Sequence, residues 1–355
     1  MAQKRVHYGC SQFAVKKFDT VVTDDVLPLS ASGVNPSDIW EVPRGVQEVS
    51  ITTTFDTENV FQLGQLATYQ IVENIPNIEV SSTRVLDGTH PLYLISSDEA
   101  AADLLGRNEN YRVDLAINFY PDPQPNASGS LVTAVYASGM YLSAVTYTFP
   151  VDGNFTEEVS YVGNNKFWHV ASGECGDTSG SIPLAAIPSG VFIVDESATE
   201  QGMETGVQRR QDFDLTQSLF PSQIPGVNAS GVLEGDCAEC LQSVSISFDL
   251  GREEIFCLGA KDANFRFVSL PIEVTCAIEA ITRRGDLIEA NASVDNLVEE
   301  QIKIVLSDGY TLDLGTKNTL TSIELSGFDT GGGNGASTYS YTNNNFAIFS
   351  HSVFP

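Results

Sequence analysis

Positive charge is what this chain has least of: 18 Lys plus Arg stand against 46 Asp plus Glu in 355 residues, a formal net charge of -28. A protein that wraps nucleic acid gains its affinity by neutralising phosphates with cations, so this balance argues against such a role. Long apolar runs are missing as well. No stretch approaches the roughly 18 residues of a membrane-spanning helix, and the opening MAQKRVHYGC has no apolar core of the kind a signal peptide needs. The expectation is a soluble protein made in a cytoplasm. Asn126, Asn154, Asn228 and Asn291 lie in glycosylation sequons, which carry no meaning for such a protein. Six cysteines scattered over this length do not form a disulfide framework.

Signals for chemistry are equally scarce. There is no GxxxxGK loop, and no GxGxxG leads from a strand into a helix. CGDTSGS (Cys175–Ser181) resembles the surround of a serine nucleophile only loosely, and no placed His and Asp support it. Cys237 and Cys240 make a single CxxC; without a second pair it reads as a bystander rather than half a zinc site. His7 with Cys10 is weaker, and His7, His90, His169 and His351 are dispersed. No spacing among the many carboxylates singles out an acid and base pair. The chain is expected to have no catalytic, metal or cofactor residues, and not to be an enzyme.

What the chain does contain is a repeat. QEVSITTTFDTENVFQLG (Gln47–Gly64) returns as QSVSISFDLGREEIFCLG (Gln242–Gly259) at an offset of 195 (242 − 47), which superposes Gln, Val, Ser, Ile, Glu, Phe, Leu and Gly. Pro76 and Pro271 keep the offset, and IEV (Ile78–Val80) meets IEV (Ile272–Val274) one residue out of step. Further on, LSAVTYTF (Leu142–Phe149) is echoed by LTSIELSG (Leu320–Gly327), and SYVGNN (Ser160–Asn165) by SYTNNN (Ser340–Asn345), in the same order. Such self-similarity has to be settled before the fold. It predicts two related domains.

Within each copy the period is two. Val49, Ile51, Thr53 and Phe55 alternate with Ser50, Thr52 and Thr54; Val244, Ile246, Phe248 and Leu250 alternate with Ser245, Ser247 and Asp249. One apolar face and one small polar face belong to a sheet that is wet on one side. Ile78–Leu86, Tyr111–Tyr120, Leu131–Tyr136, Ala144–Phe149 and Ile272–Ile281 read as further strands. Ser96 with Glu99 forms a capping box for a helix ending near Gly106, and Asn291 or Ser293 caps a second. The chain is therefore expected to be mainly β with about one helix per half. It divides into an N-terminal arm (1–44), a first domain (45–168), an insertion or connector (169–236) and a second domain (237–355). Exposed loops are expected at 121–130 and 329–337.

Taken together, GVQEVSITTTFDTENVFQLGQ, NIPNIEVSSTRVLDG and SGMYLSAVTYTFPVDGNFTEEVSYVGNN resemble the tail tube proteins of tailed bacteriophages, and LGREEIFCLG followed by FVSLPIEVTCAIE looks like a second tube domain. The resemblance covers residues 45–168 and 237–355. It implies tandem β-sandwich or split-barrel domains whose inner strands join those of neighbours around a lumen, six domains to a ring, with rings stacked into a tube. Three two-domain chains would then close a homotrimeric, pseudo-hexameric ring. The partners implied are further copies of itself, other tail or baseplate proteins, and phage DNA passing without specific binding. The place implied is the virion tail, assembled in the bacterial host cytoplasm. A baseplate hub or distal tube adaptor with two tube domains is the alternative, because that role also uses two domains per chain.

Val49, Ile51, Val244 and Ile246 are read as equivalent core positions. The polar turns that follow them are candidates for ring and stacking contacts, represented by Glu58, Phe61, Gln65, Glu253, Phe256 and Lys261. A carbohydrate-binding adhesion module, using Trp40, Tyr141, Tyr147, Trp168 and Tyr341, is the reading from another class.

Overall fold

In the computed structural model the alternating stretches form strands, as a period of two requires. The structure describes residues 9, 11–17, 42–89, 91–97, 112–120, 133–170, 206–228, 230–233, 240–259, 265–282, 285, 288, 299–328, 334–344 and 346–351. The chain is mainly β, as expected. Its first nine strands are β1 (Ser11–Lys17), β2 (Val46–Thr54), β3 (Thr57–Phe61), β4 (Thr68–Glu73), β5 (Asn77–Val85), β6 (Arg112–Phe119), β7 (Thr133–Pro150), β8 (Thr156–Gly163) and β9 (Asn165–Val170). The rest are β10 (Cys240–Asp249), β11 (Arg252–Ile255), β12 (Phe265–Val268), β13 (Glu273–Ile281), β14 (Lys303–Val305), β15 (Tyr310–Asp313), β16 (Thr319–Ser326), β17 (Ala336–Asn344) and β18 (Ile348–His351).

One antiparallel sheet runs in the order β16-β17-β13-β10-β7-β8-β5-β2, with β6 and β9 paired to β7 and β1 paired to β6. Two four-stranded blocks lie side by side in it. The first is β2-β5-β8-β7 and the second is β10-β13-β17-β16, so corresponding strands take corresponding places. Irregularities recur too: the register skips Gln47 in β2 and Gln242 in β10, and it skips Ser143 in β7 and Thr321 in β16. Each bulged glutamine turns its amide back on the chain, Gln47 Nε2 donating to Gly45 O at 3.2 Å and Gln242 Nε2 to Cys240 O at 3.4 Å. A bulge bends and twists its strand, so the two blocks are curved at the same places.

The IEV phrases prove misleading in detail. Ile51 pairs with Val80 and Ile246 with Cys276, so Val80 corresponds to Cys276 rather than to Val274. A slip of two leaves the faces unchanged because the side-chain period is two. The expected strands Leu131–Tyr136 and Ala144–Phe149 are one 18-residue strand, β7. Gly139, which looks like a break in sequence, sits within it at φ 65°, and its N–H donates to the buried Asp114 carboxylate at 3.0 Å. This lets the two ends of β7 pair with different strands: β6 and β9 towards one end, β8 and β10 towards the other.

The apolar face of the sheet is covered by β14-β15-β18, the short helix α1 (Leu92–Ile95) and part of the 206–233 segment, with Phe220 and Ile224 buried in the core. One buried cluster spans both halves. Phe349 of β18 lies near their meeting point, its ring 4.6 Å from Tyr93, 5.3 Å from Tyr147 and 5.8 Å from Phe248.

Ser96 is the C-terminal cap of α1. Pro91 opens α1 one turn earlier, and the free N–H groups of Leu92 and Tyr93 donate to the Glu157 carboxylate at 2.8 and 3.0 Å. The remainder of the expected helix to Gly106, the helix expected near Asn291, and the 121–130 loop lie outside the described residues.

Candidate assembly surfaces

The uncovered face of the long sheet is lined by hydroxyls. Ser50 Oγ meets Ser81 Oγ at 2.8 Å, Ser247 Oγ meets Thr275 Oγ1 at 2.7 Å, and Ser243 Oγ donates to Glu279 Oε2 at 3.0 Å. Parity places Glu48, Glu79, Glu158, Glu273, Glu279 and Glu324 on this side too, with Arg112 and the Tyr141 ring under Arg252 at one end of it. Arg84 of β5 points the other way and is buried, 3.7 Å from Glu157.

Two hairpins leave the sheet where β2 and β10 end. In β3–β4, Thr57 pairs with Glu73 and Asn59 with Ile71; in β11–β12, Arg252 pairs with Val268 and Glu254 with Arg266, at the same 195-residue offset throughout. Each turns next to a glycine with positive φ, Gly64 at 86° and Gly259 at 89°, where left-handed backbone suits a residue without Cβ. Beside those glycines, Leu63 and Leu258 are fully exposed.

The bodies of the hairpins differ. β11–β12 lies on the first block: Arg252 Nε donates to Leu142 O at 2.6 Å, and its guanidinium stands 5.3 Å from the Tyr141 ring. Arg266 is paired with Glu254 at 2.5 Å and donates to Asn164 Oδ1 at 3.1 Å and Asn77 Oδ1 at 3.3 Å. Burial pulls the Arg266 guanidinium below its ordinary pKa, while the Glu254 carboxylate opposes the shift. Among the described residues no such bed exists for β3–β4, where every residue of both strands is exposed. Ile71 is 58% exposed, whereas Arg266 at the corresponding position is 4% exposed.

Of the residues singled out from sequence, Glu58 and Phe61 lie on β3, Gln65 follows the first tip, Glu253 lies on β11 and Phe256 just beyond it. All five are exposed. They fall on two separate hairpins and are not gathered into one patch. Lys261 lies outside the described residues. Arg252 and Arg266, which tie the second hairpin down, were not foreseen. The available signal was that cations replace Thr57 and Ile71 in one copy of the repeat only.

Tyr147 and Tyr341 belong to the core, and Tyr141 is buried under Arg252, so three of the five aromatics considered for sugar binding are not displayed. Trp168 is exposed, and Trp40 lies outside the described residues. Cys240 is an exposed free cysteine; Cys237 lies outside the described residues. Among the described residues no group of three or more His, Cys, Asp or Glu is placed to hold a metal, and no helix is long and apolar enough to cross a membrane.

No family model matches the sequence, and no curated protein does. Solved structures similar in fold include the anti-feeding prophage baseplate (12% identity, 48% of this chain and 99% of that one, TM-score 0.32). Another is the sheath-tube complex of an extracellular contractile injection system, PVC (11% identity, 48% and 94%, TM-score 0.32). A third is an Hcp protein (13% identity, 45% and 98%, TM-score 0.23).

Proposed function

We propose that this protein is a structural ring component of a phage tail tube or of a related injection particle. The two four-strand blocks act as tandem tube domains, and three chains close a pseudo-sixfold ring. The observation that carries this reading is the continuous eight-strand path, in which one block repeats the order and bulges of the other while one face stays hydroxyl-lined and anionic. Curved into a closed wall, such a sheet has a polar interior and an outside covered by the small sheet and α1. Carboxylates along the interior repel phosphate at close range, so DNA slides through without adhering. The role is mechanical, with no catalytic step. Exposed leucines at both hairpin tips provide contacts to the next ring or to a baseplate neighbour. Assembly takes place in a bacterial cytoplasm and the product resides in the particle.

Two blocks in one chain also suit a hub or distal adaptor, which forms a single ring at the tube end. Negative-stain images and mass photometry of the purified protein separate these outcomes. Rings of about 80–100 Å with a central hole and three-chain mass support the reading. Stacks of indefinite length favour the tube, and lone rings favour the hub. A monomer at every concentration tested overturns both.

A further inference from the structure

Within the chain, β7 and β10 join the two blocks. At this junction, Ile246 pairs with Tyr147, Ser245 with Thr148 and Phe248 with Val145, and Leu250 N donates to Ser143 O at 2.7 Å. Ile246, Tyr147 and Leu250 are all 0% exposed. β7 is the end strand of the first block and β10 the opening strand of the second. Their counterparts, β16 and β2, are the two ends of the strand path, and no described strand pairs with the outer side of either.

Side chains at those ends are left uncovered. Phe55, the counterpart of Leu250, is 74% exposed, and Leu325, the counterpart of Tyr147, is 45% exposed. Ile51 and Ile323, counterparts of the buried Ile246 and Val145, are only partly buried. An unpaired strand edge flanked by such residues recruits another strand unless something blocks it. Here the two free edges differ from each other and match the two sides of a junction that the chain already makes.

Resting on the ring reading above, we infer that β2 of one copy adds to β16 of the next in the register of β10 on β7: Ile51 opposite Leu325, Ser50 opposite Ser326, Thr52 opposite Glu324, and Phe55 over Thr321. The contact is head to tail, so each copy uses a different edge on each side and the series closes into a ring or continues as a filament. The exposed β3–β4 hairpin then lies against the neighbour as β11–β12 lies against Leu142 and Tyr141. Without arginines at positions 57 and 71, it does so by apolar contact through Ile71 rather than by Arg252 and Arg266.

The test mixes full-length Ser50→Cys protein with full-length Ser326→Cys protein, oxidises the assembled particles and identifies linked peptides by mass spectrometry. A link between positions 50 and 326, much stronger than one between 50 and 322 in a Ser50→Cys plus Ser322→Cys mixture, is expected. Phe55→Glu, at an exposed position, is expected to leave the melting temperature of the dilute protein unchanged and to raise the concentration needed for assembly by about tenfold or more. Rings that assemble without the 50–326 link, or that tolerate Phe55→Glu, overturn the edge pairing and leave the ring reading standing. Protein that never self-associates overturns both.

Discussion

The two hairpins β3–β4 and β11–β12 share register, length up to the turn and tip glycine, yet one is solvent-exposed throughout and the other is anchored by Arg252 and Arg266. Local sequence shapes the hairpin; whether it is buried depends on what lies beside it. The second hairpin has the first block as its neighbour, and the first has no such neighbour among the described residues. The same contrast holds for the strands that precede them, since Ile246 is buried where Ile51 is only partly so.

The strongest way to break this comparison is at positions where the blocks carry different chemistry. Glu157 accepts bonds from Leu92, Tyr93 and Tyr147 and lies against Arg84, while Ser337 stands at the corresponding place in β17. Glu157→Gln removes one side of a buried ion pair and is expected to cost about 3–5 kcal/mol in urea denaturation. Ser337→Ala is expected to stay within about 1 kcal/mol. Equal losses would mean that the polar centre is not specific to the first block.

Next in size is the strand pair. Ile246→Ala creates a cavity at the internal junction and is expected to cost about 2–5 kcal/mol. Ile51→Ala, measured on dilute unassembled protein, should cost about 1 kcal/mol. A full-sized loss at Ile51 would show that β2 is already covered in the single chain.

At the hairpins, Arg266→Met strips bonds from Glu254, Asn77 and Asn164 and is expected to cost about 1–3 kcal/mol. Ile71→Met, its counterpart, should be within about 0.5 kcal/mol under the same conditions.

The smallest effect concerns β1 and β6, which have no counterpart in the second block among the described residues. Burial raises the Asp114 carboxyl above its ordinary value of 3.8, against bonds from Tyr136 and Gly139 that lower it. The folded chain therefore holds that proton more tightly than the unfolded chain. Its contribution to stability is complete below the ordinary carboxyl pKa and is lost as pH rises through the raised one. Compared with Asp114→Asn, the parent protein should lose stability as pH rises above the ordinary carboxyl range in paired denaturation curves, and equal pH dependence in the two would show that the buried carboxyl is not the cause.

Much of the sheet was legible because a strand with one wet face writes its burial into alternate residues. Val244, Ile246 and Phe248 could be read straight from β10, and the phrase echoes at Leu142/Leu320 and Ser160/Ser340 fall in true register. Gly139 hid the continuity of β7, since in sequence a glycine inside a strand looks like its end. The short helix α1 was not legible, because its start rests on Pro91 and on a carboxylate 65 residues away in the chain. At the hairpins, the exposed tips were readable from their turn residues. The arginine anchors were not, because nothing local says what an arginine will lie on.

By itself, then, the sequence determined the repeat, the two-faced strands, the shortage of cations and the hairpins that follow β2 and β10; each of these is a matter of neighbours along the chain. Only the tertiary structure decided that the blocks share one core, that β7 meets β10, and that the edges left over are β2 and β16. Those depend on pairings between residues about a hundred or more positions apart, whose closure no short-range pattern encodes.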